Sequence, residues 1–378
     1  MTRGGDEHPA SAIGAGSSTT AAAVGVTSTS DPANPAEPAD IHDLLGRVLA
    51  ARVGEEGPGV ALVVVRPDRQ WVAVRGLASL EHGLPIDVHT PMYGASLSKL
   101  VTAVAVHRCV ARGLVSLDDR LDRWFPSLER GADISIGSLL QHRSGLPEYH
   151  ALRLLAGHHV EDHLAPADVI GLVDGMHIWF EPGTRVSYNN TNYAVLAHVV
   201  SAVTGEPWAV AARRLVLDPV GAVDGGVRET PGAWLPHMAG CYVPAGHDRW
   251  RRATLGCASV GDGGWWASPA DLAAFAAALL RGSVGGDPVV DAMRRADPLP
   301  DGAAPSPLRS GCTTGGEGDD AWFGGLAEFV GARAELRAPC VGSGGGRDRE
   351  LAERLDRRDA RRRRGAPHRP RPVASTTG

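Results

Sequence analysis

Hydrophobic and polar positions along this chain follow two rhythms. Between Ile41 and Val53 the residues Ile41, Leu44, Leu45, Val48 and Leu49 recur at helical spacing and share one face, which predicts a short amphipathic helix. Gly59 to Val65 is a mostly apolar run rich in Val, the pattern of a buried strand. Gln70 to Arg75 reads as its hairpin return after a turn at Asp68-Arg69. A helix is predicted from about Leu97 to Arg112, with Gly113 as its stop. Residues 120 to 250 look mostly helical, with Gly/Pro connections. Thr191 to Val203 and Pro207 to Leu217 are separated by Gly205, and Ile134 to Leu140 opens a short helix. Ser268 is a good N-cap, Pro269 suits the first helical position and Asp271 complements the helix dipole, so a helix should run to about Leu280 and stop at Gly282.

The two ends break the pattern. Residues 1–40 are rich in Ala, Ser, Thr, Gly and Pro without a sustained apolar stretch, and read as a disordered leader with neither signal peptide nor membrane span. From Gly331 to Gly378 there are thirteen arginines and few large apolar residues. That segment reads as a solvated tail. Two other accounts compete: a nucleic-acid-binding arm, which lacks any Phe, Tyr or Trp for base stacking, and GC-rich DNA translated out of frame. The chain therefore divides into a leader (1–40), an α/β sheet domain (41–120 and 251–330), an inserted mainly helical domain (121–250) and the Arg-rich tail (331–378).

Composition narrows the function. A hydrophobic content of 43% supports a sizeable core, and a formal net charge of -5 argues against a polyanion binder. The five cysteines are scattered without a C-x-x-C, which points to neither a zinc site nor a disulfide framework, and to a reducing, cytoplasmic setting. His159 and His163 are four apart, with Asp162 between them, but no further ligand follows at metal spacing. Cys109 reads as a small packed apolar side chain and Trp265-Trp266 as core residues first, cleft residues second.

The chain has a single lysine, Lys99, three residues after Ser96. A guanidinium cannot give up its proton in a protein, whereas a lysine amine can, and burial beside another donor favours its neutral form. If Ser96 sits at the first turn of a helix, Lys99 falls on the same face and can take the proton of the serine hydroxyl, while the helix N-terminus favours an oxyanion. Tyr188-Asn189-Asn190 adds a phenol able to pass a proton and an amide able to hold a carbonyl. Leu139-Leu140-Gln141-His142-Arg143-Ser144-Gly145-Leu146-Pro147 ends a helix in a tight turn, where His142 is expected to hydrogen-bond the turn rather than to act in catalysis.

Together these segments resemble the serine hydrolases related to class C β-lactamases, D-alanyl-D-alanine carboxypeptidases, D-aminopeptidases and class C-type esterases. The resemblance rests on Tyr93 to Lys99, Leu139 to Pro147, Pro182 to Tyr193 and Gly263 to Leu280 in that order. It implies a β-lactamase/transpeptidase-like α+β fold, with an antiparallel sheet flanked by helices and an inserted helical domain. It further implies that Ser96 is acylated, that Lys99 and Tyr188 move its proton as one unit, and that Asn190 orients a small amide or ester, with no metal or organic cofactor. The family's third motif, Lys-Thr-Gly or His-x-Gly, has no full match after residue 282. Thr313-Thr314-Gly315 lacks the basic residue, and in Val341 to Gly346 Ser343 stands where it is expected, which makes Ser343 a candidate substrate-binding residue. Without that strand the C-terminal part of the sheet is missing. Half of the oxyanion hole would go with it, at a cost of about 3–4 kcal/mol of transition-state stabilisation, and the rival function is a catalytically impaired relative that only binds a ligand.

Overall fold

The computed structural model describes residues 25–29, 39–66, 69–158, 164, 166–229, 235, 237–246, 249–253, 261–284 and 286–294, and the strand backbones at 308–309, 312–315, 322–329 and 332–339. The predicted hairpin forms as Val60–Val65 and Gln70–Arg75, paired antiparallel with Val65 opposite Gln70. Both of its faces are covered, which is why the run reads as continuous rather than alternating. Ala61, Val63, Val65, Val72 and Val74 join the main core, whereas Trp71 and Ala73 face Leu45 and Leu49 of the Ala39–Ala50 helix.

The hairpin sits in a seven-stranded sheet with the spatial order Gly25–Thr29, Gln70–Arg75, Val60–Val65, Ala332–Pro339, Trp322–Phe329, Cys312–Gly315 and Leu308–Arg309. All pairings are antiparallel except that of Ala332–Pro339 with Val60–Val65, which is parallel. Two segments differ from expectation. The leader contains a strand, Gly25–Thr29, in which Thr27 pairs with Val72, because a short Val/Thr run suffices for a sheet edge. The sheet also continues past residue 330, where a missing strand was expected. Ala332, Ala334, Leu336 and Ala338 alternate with charged positions, a period-two pattern muted by small residues and arginines.

The Ala39–Ala50 and Pro269–Leu280 helices lie against this sheet, and the turn at Ala95–Leu97 runs beside Trp322–Phe329. The Ser98–Ala111 helix is buried nearly all round, with Leu100, Val101, Val104 and Ala105 fully enclosed. It packs against Asn190–Thr204, which ends at Gly205 as predicted, and against Arg213–Leu217, where Pro207 to Leu217 winds as an α-helix that widens into a π-helical turn. The Pro269–Leu280 helix starts with the expected N-cap. Ser268 Oγ accepts the Asp271 N–H at 2.9 Å and the Asp271 carboxylate accepts the Ser268 N–H at 3.2 Å, a full capping box. Asp271 also accepts the N–H groups of Asp224 and Gly225, which ties the segment before Gly226–Val227 to the start of this helix. Trp265 and Trp266 are core residues: Trp265 meets Phe275 edge-on and Trp266 leans on Tyr93. Cys109 is fully buried, and burial raises its thiol pKa. Among the described residues no single helix is long and apolar enough to cross a membrane.

Candidate active site

Ser96 lies in a 3-10 turn, Ala95–Leu97, immediately before the lysine helix. Ala95 takes φ +42°, a left-handed conformation uncommon for a residue with a side chain, and this tight bend sets the serine at the start of the helix. The turn is stitched to the Gly261–Trp265 segment. The Gly94 N–H donates to the Trp265 carbonyl at 2.9 Å, the Trp265 N–H donates to Ser98 Oγ at 3.0 Å, and Thr102 Oγ1 donates to the Gly261 carbonyl at 2.7 Å. Gly261 has φ +87°, and a Cβ there would stand 2.3 Å from the Tyr193 carbonyl, so only glycine fits.

The predicted i, i+3 relation brings Lys99 onto Ser96. Nζ lies 3.0 Å from Ser96 Oγ and donates to the Asp262 carbonyl at 2.9 Å, with the side chain 1% exposed. The Tyr188 hydroxyl is 2.7 Å from the same Ser96 oxygen, and its ring lies 4.9 Å below the lysine nitrogen. Tyr188 is 44% exposed, so this cluster has a buried amine on one side and solvent on the other.

The turn after Leu140 holds Tyr188 in place. His142 stacks on the Tyr188 ring at 4.8 Å, its carbonyl accepts the Ser187 N–H, and its Nδ1 accepts the Asn189 N–H at 3.0 Å. Burial, reinforced by the neighbouring Lys99 charge, pushes the His142 pKa down to about 3, so the ring is neutral at physiological pH. His142 was expected to hydrogen-bond the turn at residues 144–147; its bonds instead go to Ser187 and Asn189 on either side of Tyr188 and, through its own main-chain N–H, to the Leu139 carbonyl. Thr191 Oγ1 donates to the Pro147 carbonyl and Ser144 Oγ to Asn192 Oδ1, which laces the two loops together. Gly145, at φ +78°, lets Phe180 pass so close that a Cβ would meet its carbonyl at 2.0 Å.

Ser96, Lys99 and Tyr188 therefore converge as a group. Asn190 sits at the first position of the Asn190–Thr204 helix, where its main-chain N–H and side-chain amide both donate to the Glu148 carboxylate, at 2.8 and 2.9 Å. Ser343 lies outside the described residues, as do His159, Asp162 and His163. Among the described residues no group of three or more His, Cys, Asp or Glu side chains could hold a metal ion. Sequence reasoning missed Glu148 and Asp262. Glu148 follows the Ser-Gly-Leu-Pro turn directly, which was a usable signal; Asp262 precedes Gly263-Gly264 with nothing in the local text to mark it.

A family model described as Beta-lactamase matches residues 45–334, a span that contains Ser96, Lys99, Glu148, Tyr188, Asn190 and Asp262. The chain belongs to the beta-lactamase family. Within this family the chain is 35% identical over 185 residues to Esterase EstB of Burkholderia gladioli, covering 44% of this chain and 46% of the esterase. It is 28% identical over 182 residues to Penicillin-binding protein 4* of Bacillus subtilis (48% and 37%), and 32% identical over 153 residues to a D-aminopeptidase of Brucella anthropi (40% and 29%). The chain thus spans less than half the length of these curated relatives. Among solved structures the beta-lactamase family fold is matched by a penicillin-binding protein from Bacillus halodurans, with TM-score 0.69, 21% identity and coverage of 82% of this chain and 98% of that one. A D-amino acid amidase from Ochrobactrum anthropi SV3 matches with TM-score 0.67, 21% identity and coverage of 86% and 100%.

Proposed function

We propose that this protein is a serine hydrolase that cleaves a small amide or ester through an acyl-enzyme on Ser96. The observation that carries the proposal is the convergence of Lys99 Nζ and Tyr188 Oη on Ser96 Oγ, at 3.0 and 2.7 Å. A serine hydroxyl is a weak nucleophile until a base shares its proton, and both partners are within reach of that proton.

As Ser96 Oγ attacks the substrate carbonyl, the Lys99–Tyr188 unit takes the hydroxyl proton, and the phenol returns one to the departing amine or alcohol. Water then enters from the exposed side of Tyr188 and attacks the acyl carbonyl, giving a proton to the same unit; the bond to Ser96 Oγ breaks, the acid leaves, and the unit returns a proton to Oγ. The main-chain N–H of Ser96 is one oxyanion donor. The second comes from the backbone of Trp322–Phe329, which runs beside the Ala95–Leu97 turn and whose ladder with Cys312–Gly315 ends at Gly324. Asn190, fixed by Glu148, orients the substrate amide through its second N–H.

The names of the relatives support both leaving groups, since an esterase and a D-aminopeptidase are among them. A panel of p-nitrophenyl esters and D- and L-amino-acid amides, assayed with the wild-type chain and with Ser96→Ala, tests the proposal. Turnover of at least one class that vanishes in Ser96→Ala is expected. Turnover that survives the substitution would overturn it.

A further inference from the structure

We propose that Glu148 is a specificity residue that receives the ammonium group of the substrate, so that the site takes amino-acid amides or esters with a free α-amine; the inference rests on the hydrolase reading above. Glu148 is tied to the Ser96 group from both sides. On one side its Oε2 accepts the main-chain N–H and the side-chain amide of Asn190, at 2.8 and 2.9 Å, in the same loop as the Tyr188 hydroxyl that touches Ser96 Oγ. On the other side its neighbour Tyr149 donates to the Asp262 carboxylate at 2.9 Å, and the main-chain carbonyl of Asp262 receives Lys99 Nζ. Glu148 is half-buried, and its carboxylate forms no ion pair among the described residues: its partners there are the N–H groups of Asn190 and His150.

Acceptor capacity is left over at this spot. A carboxylate has about four acceptor sites. Asn190 fills a pair of them on Oε2, and the His150 N–H fills one on Oε1. An acceptor-only partner also fixes the Asn190 amide: Nδ2 must face Glu148, so Oδ1 faces away, and no described residue donates to it. Glu148 Oε1 and Asn190 Oδ1 are therefore open acceptors, and the first carries charge. A matching cation is missing beside them. Lys99 is the chain's only lysine and is engaged by Ser96 and the Asp262 carbonyl. The strand beside the Ala95–Leu97 turn, Trp322–Phe329, contains no Lys, Arg or His, and its sole charged residue is Glu328. A half-buried anion without a counter-ion is costly, and a substrate ammonium removes that cost while it fills the open acceptors. An N-acylated substrate cannot do so, and a substrate carboxylate would be repelled. Glu148 also caps the Tyr149–Leu155 helix through the His150 N–H, but a glutamine oxygen can serve there equally well. What the acid adds is charge.

The test compares kcat/KM for alanine p-nitroanilide and its N-acetyl derivative, in both enantiomers, in the wild-type chain and in Glu148→Gln, with Ser96→Ala as the blank. Circular dichroism shows that each variant is folded. The wild type is expected to favour the free amine by about tenfold or more, and Glu148→Gln to lower that ratio about tenfold, through KM rather than kcat. The readout is a ratio within one protein, so a general loss of activity from a displaced Asn190 cancels. The same ratio in both proteins, or a wild type that favours the acetylated substrate, would overturn the assignment, because a helix cap or an Asn190 anchor scales both substrates alike. If Glu148→Gln does not fold, the wild-type ratio decides by itself. Should the wild type show no Ser96-dependent turnover of these substrates or of p-nitrophenyl acetate, the hydrolase reading fails on its own. Calorimetric titration with alaninamide and N-acetylalaninamide then decides the Glu148 assignment separately: tighter binding of the free amine that is lost in Glu148→Gln supports it, and equal binding of the two overturns it.

Discussion

The imidazole of His142 lies flat beneath the phenol of Tyr188, 4.8 Å away, while its Nδ1 accepts the N–H of the residue that follows that tyrosine. This neutral wedge has a pH signature. The unfolded chain binds a proton at His142 near the ordinary value of 6.5, whereas the folded chain resists it until about 3. Protons thus favour the unfolded state throughout that window, and stability should decline as pH falls from about 6.5 toward about 3, by an amount on the order of 5 kcal/mol at the acid end. In His142→Gln, which keeps an acceptor for the Asn189 N–H, the decline should be shallower. Urea unfolding midpoints at several pH values check this; parallel curves for the two proteins would contradict it.

Lys99→Arg and Lys99→Ala should both lose acylation activity, by about 10²–10⁴-fold. An arginine retains the charge but cannot accept the Ser96 proton, so charge alone should not rescue the variant. Single-turnover kinetics with an activated ester reads this directly. Near-normal rates in Lys99→Arg would show that a fixed cation is all the site requires.

Tyr188→Phe removes the hydroxyl that touches Ser96 and leaves the ring that stacks on His142. Activity should fall by about 10²–10⁴-fold, while the melting temperature stays close to wild type because the phenol faces solvent. A large loss of thermal stability would mean that the hydroxyl holds the fold rather than serving the chemistry.

Gly261→Ala places a methyl group against the Tyr193 carbonyl in a left-handed backbone conformation. The strain should destabilise the protein by about 1–3 kcal/mol and shift the Asp262 carbonyl away from Lys99, so activity and stability fall together. Thermal unfolding paired with kinetics checks both; an unperturbed variant would remove Gly261 from the account.

Legibility in the sequence followed the strength of the local signals. The hairpin at Val60–Val65 and Gln70–Arg75, the lysine helix and the capped helix after Ser268 were all readable, because burial on both faces, a Gly stop and a capping box each leave a distinct local pattern. The Ser96–Lys99 pair was readable because helical spacing alone brings the two together, and Tyr188 only because its loop resembles a known one. The strands at Gly25–Thr29, on the sheet edge, and Ala332–Pro339, in its middle, were not, since runs built largely from Thr or from Ala alternating with Arg give a weak periodic signal. Asp262 lies 163 residues from Lys99, and no local pattern can announce a contact made by tertiary packing alone.

The central claim is that Ser96 is made nucleophilic by the two groups that touch its oxygen. Intact-mass spectrometry of the purified chain after incubation with a fluorophosphonate tests it most directly. The account predicts a single covalent adduct that maps to Ser96, is absent in Ser96→Ala and is strongly slowed in Lys99→Ala. A folded wild-type protein that stays unlabelled, or an adduct that forms as fast without the lysine, would contradict it.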